Sequence, residues 1–383
     1  MGSRYAEVGV DVKKRGVEGF RRLIENAFPL AFCPVLRDPI SKNRGIVLHT
    51  DGAGSKPVQS YLQWRETGET AWFLGLAQDV VAMNLDDVIC VGASDANLVD
   101  YLAINPFRVP KETVLKEIGR GFRKCLSLLR RFGMRLHFLG GETADLPDQV
   151  RTLDVSGTIS ASVDLSKIVG GDGIRPGDLI VGLRSGGKTK YERAENSGIM
   201  CNGITLARHC LMKAEYCKKY PEIAGDVGRG YYGRYGPDEY VDELHMTAGE
   251  AILSPTRIFA PVVVEVLRKV GKGVSGLVHN TGGGLTKCLR LGKRISYVKD
   301  DLFEPDPIFL LIQRESKVDW REMYEDFNMG VGFEIVVREQ FADEVLSTAE
   351  RFGLGAKVIG RCEKGKARNT LTVKSEHGKF VYW

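Results

Sequence analysis

Short apolar runs rich in β-branched residues alternate along this chain with longer stretches whose apolar positions recur every three or four residues. The run Ile46-Val47-Leu48 predicts a strand over 44–50, and a helix is predicted over 69–87. A strand over 97–104 follows, then a long helix from Pro110, a good first-turn residue, to about Arg131. In that helix Leu115, Ile118, Phe122, Leu126 and Leu129 share one face, so its arginines and lysines form the solvated side rather than an RNA contact. The pattern predicts a strand over 134–139 ending in a turn at Gly140, and another strand over 152–163. A turn signal at 173–178 precedes a fresh strand at 179–183. Beyond it, helices are predicted over 202–212, 257–270, 319–326 and 340–352. Strands are predicted over 274–279, 333–337 and 356–360, with a hairpin near the C-terminus. The stretches 186–200 and 225–240 predict surface loops or insertions.

Helices and strands mixed in both halves indicate α/β to α+β layers, in two mixed-layer domains spanning 1–173 and 174–383. A length of 383 residues, 43% hydrophobic and 27% charged, is that of a globular protein rather than a disordered one. The net charge of +5 suits anionic small ligands but lacks the density of a nucleic-acid stripe, so no nucleic acid is expected. Eight cysteines without a Cys-x-x-Cys pair argue against a zinc ribbon or redox dithiol and fit free thiols in a reducing compartment. With no signal-peptide pattern and no apolar run long enough for a bilayer, the expectation is a cytoplasmic protein without membrane contact.

Three glycine-rich clusters follow apolar runs. The first, His49-Thr50-Asp51-Gly52-Ala53-Gly54-Ser55-Lys56, joins a carboxylate, glycines, hydroxyls and a lysine at a strand end. Backbone N–H groups freed in such a turn can face a phosphate, and a lysine adds a point charge. Its spacing is not that of the P-loop. The second is Gly140-Gly141-Glu142-Thr143-Ala144-Asp145 and the third Thr281-Gly282-Gly283-Gly284. Together they suggest a phosphate-handling enzyme. Asp79, Asp86 and Asp87 fall about two helical turns apart and share a face beside Val80, Val81 and Met83. Carboxylates near a core need cations. Mg²⁺ bridging to phosphates and helix caps or ion pairs are both open readings. Asp51 and Glu142, each at a strand mouth, join that argument, because a carboxylate meets a triphosphate only through a metal. His279 is a general acid, a phosphate ligand or, more simply, a structural histidine. Asn202-Gly203 offers N–H groups to a phosphate or is an ordinary N-cap.

Taken in order, the motifs resemble the aminoimidazole ribonucleotide synthetase (phosphoribosylformylglycinamidine cyclo-ligase) family over nearly the whole chain. The resemblance starts at Tyr5-Ala6-Glu7-Val8-Gly9-Val10-Asp11 and continues through the His49–Lys56 cluster, Asp79-Val80-Val81-Ala82-Met83, Asp100-Tyr101-Leu102-Ala103 and the Gly140 cluster. In the second half it is carried by Leu253-Ser254-Pro255-Thr256-Arg257-Ile258, His279-Asn280-Thr281-Gly282-Gly283-Gly284 and Phe327-Asn328-Met329-Gly330-Val331-Gly332. The resemblance implies a homodimer in which N-terminal strands of both subunits form a barrel, with ATP bound between domains or at the dimer seam. It implies Mg²⁺ on Asp51, Asp79 and Asp87, and Lys56 on the ATP phosphates. Gly52, Gly54, Ser55, Gly140 and Gly141 would line the nucleotide, under a cover running from Tyr5 to Asp11. Glu142 would support the metal or orient substrate. Asn202, Gly203, His279, Thr281, Gly282 and Gly283 would face the ribonucleotide, and Lys56, Glu142 and His279 would serve catalysis. The implied reaction closes the imidazole ring of formylglycinamidine ribonucleotide at the expense of ATP, through an iminophosphate.

The chain departs from that pattern at Asp95, where the family usually has proline, at Asp148, where glycine is common, and above all in one loop. The family's Ser-Gly-x-His-Ser-Asn-Gly run is split here, Ser185-Gly186 standing well before Asn202-Gly203, with Cys201 in place of serine and no clear histidine. The inserted Lys188, Lys190 and Arg193 are replacement phosphate contacts or, more simply, solvated. Rival readings are a thiamine-phosphate kinase and a non-catalytic nucleotide-binding partner in a purine-pathway assembly. A selenophosphate synthetase would need a lysine beside Cys33, and a hydrogenase-maturation dehydratase would end in cysteine rather than Val381-Tyr382-Trp383.

Overall fold

The computed structural model describes residues 4–11, 16–224 and 230–383, so 225–229 of the 225–240 stretch lie outside the described residues. Two helical turns, α1 (Arg4–Glu7) and α2 (Glu18–Arg21), lead into an open five-stranded sheet. Its strands are β1 (Leu36–Arg37), β2 (Arg44–Gly52), β3 (Asp95–Ile104), β4 (Leu136–Asp145) and β5 (Leu153–Asp164), in the order β1-β2-β5-β3-β4. β5 lies antiparallel between β2 and β3, and β4 runs parallel to β3. Strict alternation along β5, with Val155, Ile159, Ala161 and Val163 buried and Ser156, Thr158, Ser160 and Ser162 on the other side, gives the sheet one covered face.

That face is covered by α4 (Gly75–Ile89) and α5 (Lys111–Arg131), while α3 (Lys56–Thr67) follows β2 directly. The approach is close. A Cβ at Gly157 on β5 would stand 2.7 Å from a Val80 methyl, and one at Gly121 on α5 would stand 2.3 Å from the Leu74 carbonyl oxygen. α5 has an apolar stripe and a basic outer face, as the sequence predicts. α4 is different: every residue except Gly75 and Gln78 is buried, because its second side packs against the other half of the chain. A helix enclosed all round is the centre of a protein rather than its skin.

The second half forms a seven-stranded mixed sheet from β6 (Leu179–Arg184), β9 (Val274–His279), β10 (Ile295–Lys299), β11 (Val331–Val337), β12 (Ala356–Lys364), β13 (Thr370–Ser375) and β14 (Gly378–Tyr382). Its order is β14-β13-β10-β12-β6-β11-β9. β7 (Tyr240–Val241) and β8 (Met246–Thr247) pair separately. The helices here are α6 (Ile204–Leu211), α7 (Glu215–Lys219), α8 (Pro221–Ala224), α9 (Ala248–Leu253), α10 (Ala260–Val270), α11 (Pro307–Ser316), α12 (Trp320–Asp326) and α13 (Ala342–Arg351). β9 and β11 are buried at every position, Ser275, His279 and Glu334 included. α10 and α13 pack together, α13 lies on β6 and β12, and α4 meets both α10 and β9. The fold is therefore mixed α/β in two sheet-containing halves joined across α4.

Several elements differ from the sequence pattern. The predicted 69–87 helix is a 3-10 turn, Thr70–Phe73, followed by α4. β4 does not stop at Gly140 but runs on through Gly141 and Glu142, with a register shift opposite Leu98/Asp100. Glycines inside a strand mark such bulges as readily as turns. α3, β10 and α11 were not expected. α3 buries Gln59, Ser60 and Gln63, so it carries no clean apolar stripe to read.

Gly121→Ala tests the α4–α5 contact. Alanine favours a helix over glycine by about 1 kcal/mol, yet the Leu74 oxygen leaves no room for a methyl. The expected result is a net loss of about 1–3 kcal/mol, read as a lower urea midpoint at unchanged slope.

Candidate functional site at the domain seam

Three carboxylates on α4 reach across to the second half of the chain, and each meets a different partner. Asp79 receives the ammonium of Lys56 at 2.7 Å, and its same oxygen accepts the Thr256 backbone N–H and hydroxyl at 2.7 Å each. Lys56 also donates to the Ser254 carbonyl at 2.6 Å. Lys56 is the first residue of α3, set there by the Ala53–Ser55 turn in which Gly54 has φ +58. Its side chain is fully enclosed and that of Asp79 nearly so. A buried pair of this kind is held by its extra hydrogen bonds. Here the ammonium expected on the ATP phosphates is paired with Asp79 and the Ser254 carbonyl inside the seam. Cys201 stands beside the pair, 3.4 Å from Asp79 and 3.2 Å from the Thr256 hydroxyl. Burial, then the charge of Asp79, pushes its thiol up, which keeps it protonated.

Asp86 accepts the Phe259 and Ala260 backbone N–H groups at 2.9 and 2.8 Å. It thus caps α10 from another domain, supplying the acceptor that Phe259 at the N-cap position lacks. Burial raises its pKa strongly, with the two N–H groups opposing. Asp87 lies one residue on. One of its oxygens is 2.7 Å from His279 Nδ1 and the other 3.3 Å from His49 Nε2. Burial pushes this carboxyl up, but the charge of Lys287, the His279 hydrogen bond and His49 overcome it and hold Asp87 well below the usual carboxylate range. Burial pushes His279 down despite Asp87. A neutral imidazole donating from Nδ1 to ionised Asp87 satisfies both, and leaves Nε2 an enclosed acceptor without a partner.

Asp51, at the end of β2, lies 3.9 Å from His49 and accepts the Gly52 N–H at 2.8 Å. Asp51 and Asp87 thus flank one histidine. Asp79 is eight residues back along α4, about 12 Å of rise, and occupied by Lys56. The expected set of Asp51, Asp79 and Asp87 on one ion is not assembled: Asp79 belongs to a separate cluster.

The loops at this mouth come from both halves. Ser55 and Thr205 share a hydroxyl hydrogen bond of 2.9 Å. Asn202 donates to the Asn280 carbonyl at 2.9 Å, with its Oδ1 enclosed and unpartnered. Gly203 caps α6 at φ +69, where a Cβ would sit 1.8 Å from the Phe327 ring. Only glycine fits there. Thr281 is hydrogen-bonded by Lys287, whereas a Cβ on Gly282 would meet nothing within 4 Å. Gly283 (φ +97) starts the 3-10 turn Gly284–Arg290. Tyr5 packs edge-on to Phe327 at 6.4 Å and its N–H reaches Glu322 at 3.3 Å. The first turn thus rests against α12 and the Gly203 cap, with Asp11 exposed beyond it. Asp326, at the end of α12, is buried; burial, then Glu322, Glu325 and Asp319, pushes its carboxyl up to about 8.

Gly140, Gly141 and Glu142 are elsewhere. They lie on β4, the outer edge of the first sheet, where Glu142 is exposed opposite Tyr101. Within one chain they do not join the α4 seam. The inserted 186–200 segment is tied down instead of loose. Arg257, almost wholly buried, donates to the carbonyls of Arg184, Gly186 and Gly187 and to both oxygens of Glu192. Lys188 and Arg193 are exposed, and Lys190 reaches the Arg351 carbonyl. Residues that sequence reasoning did not single out are Cys33, His49, Lys287 and Asp326. Only His49 stood inside a recognised motif, and its neighbours are set by chain crossings that spacing does not reveal.

Two outcomes test this geometry. Asp79→Ala strands a buried lysine and is expected to cost about 3–5 kcal/mol, with Lys56→Met plus Asp79→Leu costing less than the sum of the single changes in a urea-denaturation cycle. An unaffected Lys56→Met protein would sink the seam role. Asp326, with its folded pKa raised to about 8, contributes stability that is full below an unfolded value of about 3.9 and is lost as pH rises through 8. Asp326→Asn should flatten that decline in melting temperature between pH 4 and 8.

The chain matches the profile of the AIR synthase related protein N-terminal domain over residues 33–163 and of its C-terminal domain over 175–371. It is 35% identical over 316 residues to a protein of Methanocaldococcus jannaschii named phosphoribosylformylglycinamidine cyclo-ligase, spanning 82% of this chain and 77% of that one. It is 29% identical to the Methanobrevibacter smithii protein of the same name over 98% of each chain. Its fold is shared with a chain of the HypE-HypF complex (TM-score 0.55, 12% identity, 96% and 98% covered). It is also shared with T. maritima PurL complexed with FGAR (TM-score 0.57, 15% identity), of which this chain spans 49% and which covers 95% of this chain. Among the described residues no helix is long and apolar enough to cross a membrane. With both domain profiles in order along the chain and 35% identity over most of its length, this chain belongs to the AIR synthase related family.

Proposed function

We propose that this protein is a phosphoribosylformylglycinamidine cyclo-ligase. It would close formylglycinamidine ribonucleotide to aminoimidazole ribonucleotide in purine biosynthesis, consuming ATP and releasing ADP and phosphate. The observation that carries this reading is the end-to-end similarity to proteins of that name. An amide oxygen is a poor leaving group. Transfer of the γ-phosphoryl group to it makes an iminophosphate, the amidine nitrogen of the same molecule attacks the activated carbon, and phosphate departs with the oxygen. No nucleophilic side chain is needed; the work is orientation and neutralisation of phosphoryl charge.

Asp51 and Asp87 fit a Mg²⁺ ion by donor type, two hard carboxylates on adjacent elements with Asp87 held ionised. When bound, the ion would offset the charge of the ATP phosphates. His279, fixed by Asp87, keeps the Thr281–Gly283 turn in place beside it. In this reading Asn202, Gly203, Thr281, Gly282 and Gly283 receive the ribonucleotide. Gly52, Gly54 and Ser55 line the nucleotide, and the segment from Tyr5 to Asp11 covers the mouth. We place the domain junction between β5 and β6, as 1–173 and 174–383.

The outer face of the first sheet supports a homodimer. Leu48, Val99, Tyr101 and Leu139 are exposed there, an apolar patch on an open sheet whose edges are β1 and β4. Pairing two such sheets would complete a barrel and cover Gly140, Gly141 and Glu142, which ties any role of Glu142 to the dimer. All eight cysteines are free, which fits a cytoplasmic setting.

The test is ADP release from ATP and Mg²⁺ with formylglycinamidine ribonucleotide, paired with colorimetric detection of the aminoimidazole product. Equal yields of ADP and product, falling at least 100-fold in Asp87→Asn, are expected. A folded protein that binds ATP but forms no imidazole, or that phosphorylates thiamine phosphate instead, would overturn the assignment.

A further inference from the structure

Two residues beside Asp87 have chemistry that the ring-closing reaction does not use. β2 carries His49 against α4, and the segment before β1 brings Cys33 to the same point. Cys33 Sγ, His49 Nε2 and a carboxylate oxygen of Asp87 all lie within 4.8 Å of one another. Cys33 and Asp87 are buried, while the His49 side chain keeps 23% of its surface open. Nε2 itself is enclosed and has no hydrogen-bond partner, although Asp87 lies 3.3 Å away. The Cys33 thiol is aimed inward too, donating to the Asp87 main-chain carbonyl at 3.2 Å. An enclosed imidazole nitrogen without a partner is costly unless something occupies it.

We propose that Cys33, His49 and Asp87 form a binding site for a borderline-soft divalent cation of the Zn²⁺ class. Sulfur, nitrogen and oxygen donors in one cluster select such an ion over Mg²⁺, which takes oxygens alone. Tetrahedral Zn²⁺ bonds of about 2.0–2.3 Å place neighbouring donors about 3.5 Å apart, so closure takes a movement on the order of 1 Å. Three protein ligands leave a fourth position, and the open side of His49 gives it access. On binding, Cys33 loses its thiol proton to solvent and becomes a thiolate ligand.

The surrounding charges set the strength of the site. Lys287 and Arg290 face Cys33, and Lys287 also faces Asp87. They favour the thiolate and oppose the cation. Lys287 is partly occupied by Thr281, and His279 holds the other Asp87 oxygen. Asp51, 3.9 Å from His49, adds negative charge on the opposite side. One thiolate and one carboxylate neutralise a divalent ion. The site shares Asp87 with the Mg²⁺ assignment above, whereas Cys33 and His49 are donors that ring closure leaves unused, so its test reads metal binding and not activity.

Co²⁺ reports on this directly, because a thiolate ligand gives it a near-ultraviolet charge-transfer band. Full-length metal-free protein titrated with Co²⁺ should show that band saturating at one equivalent, with one proton released per ion. Zn²⁺ should erase it, and a large excess of Mg²⁺ should not. Cys33→Ser should abolish the band, and His49→Gln, at a partly open position that does not endanger folding, should weaken binding at least tenfold. Cys201→Ser and Cys217→Ser, altering the other part-exposed thiols, should leave it intact. The proposal fails if no band forms at one equivalent, if Mg²⁺ displaces the ion, if a Cys201 or Cys217 change removes the band, or if His49→Gln binds as tightly as the native protein.

Discussion

Three carboxylates on one buried helix are the constraint on which the molecule is built. α4 is almost wholly enclosed, so every acid it carries must be answered by protein groups, and each finds at least one of them in the second domain. The partners are chemically distinct: for Asp79 the Lys56 ammonium of its own half together with the Thr256 amide and hydroxyl, for Asp86 two helix-terminal amides, and for Asp87 the His279 imidazole. Burying a charge is expensive unless it is paired and hydrogen-bonded, so these contacts fix the separation and register of the halves far more tightly than apolar packing alone would. The loops that converge at the mouth inherit their positions from that alignment. Ser55 meets Thr205, and Asn202 meets Asn280.

Much of the architecture was legible because period and burial agree. β2, β5 and α5 each present one covered face, and their residue patterns show it. The failures share a cause. α3 was missed because its buried Gln59, Ser60 and Gln63 are satisfied or enclosed by distant chain, so polarity stopped meaning exposure. The Gly140-Gly141 pair was taken for a turn, yet it is a bulge pressed against Asp100, where a Cβ at Gly141 would stand 1.8 Å from the Asp100 carboxylate.

The candidate site was legible in its parts but not in its pairings. Asp51, Asp87 and His279 were all named from motifs, and the structure sets Asp51 and Asp87 on either side of His49, with His279 on Asp87. Lys56 and Asp79 were named as well, but they neutralise each other, an outcome that a separation of 23 positions does not announce. Cys33 was noted only as a thiol lacking a lysine neighbour in sequence. In space Lys287 fills that role, which shows how poorly linear proximity stands in for electrostatic proximity.

The contacts of α4 also dictate an order of events in assembly. Asp79, Asp86 and Asp87 wait for partners 177, 173 and 192 residues further along the chain. A nascent first half emerges before any of these partners exists, with its central helix presenting three acids on the very surface that must later become dry. Lys56 of the same half can meet Asp79 beforehand, but the amides that meet Asp79 and Asp86 and the His279 ring that meets Asp87 come only with the second half. The first half is in this sense an unfinished object, whose buried acids are fully matched only by groups of the second.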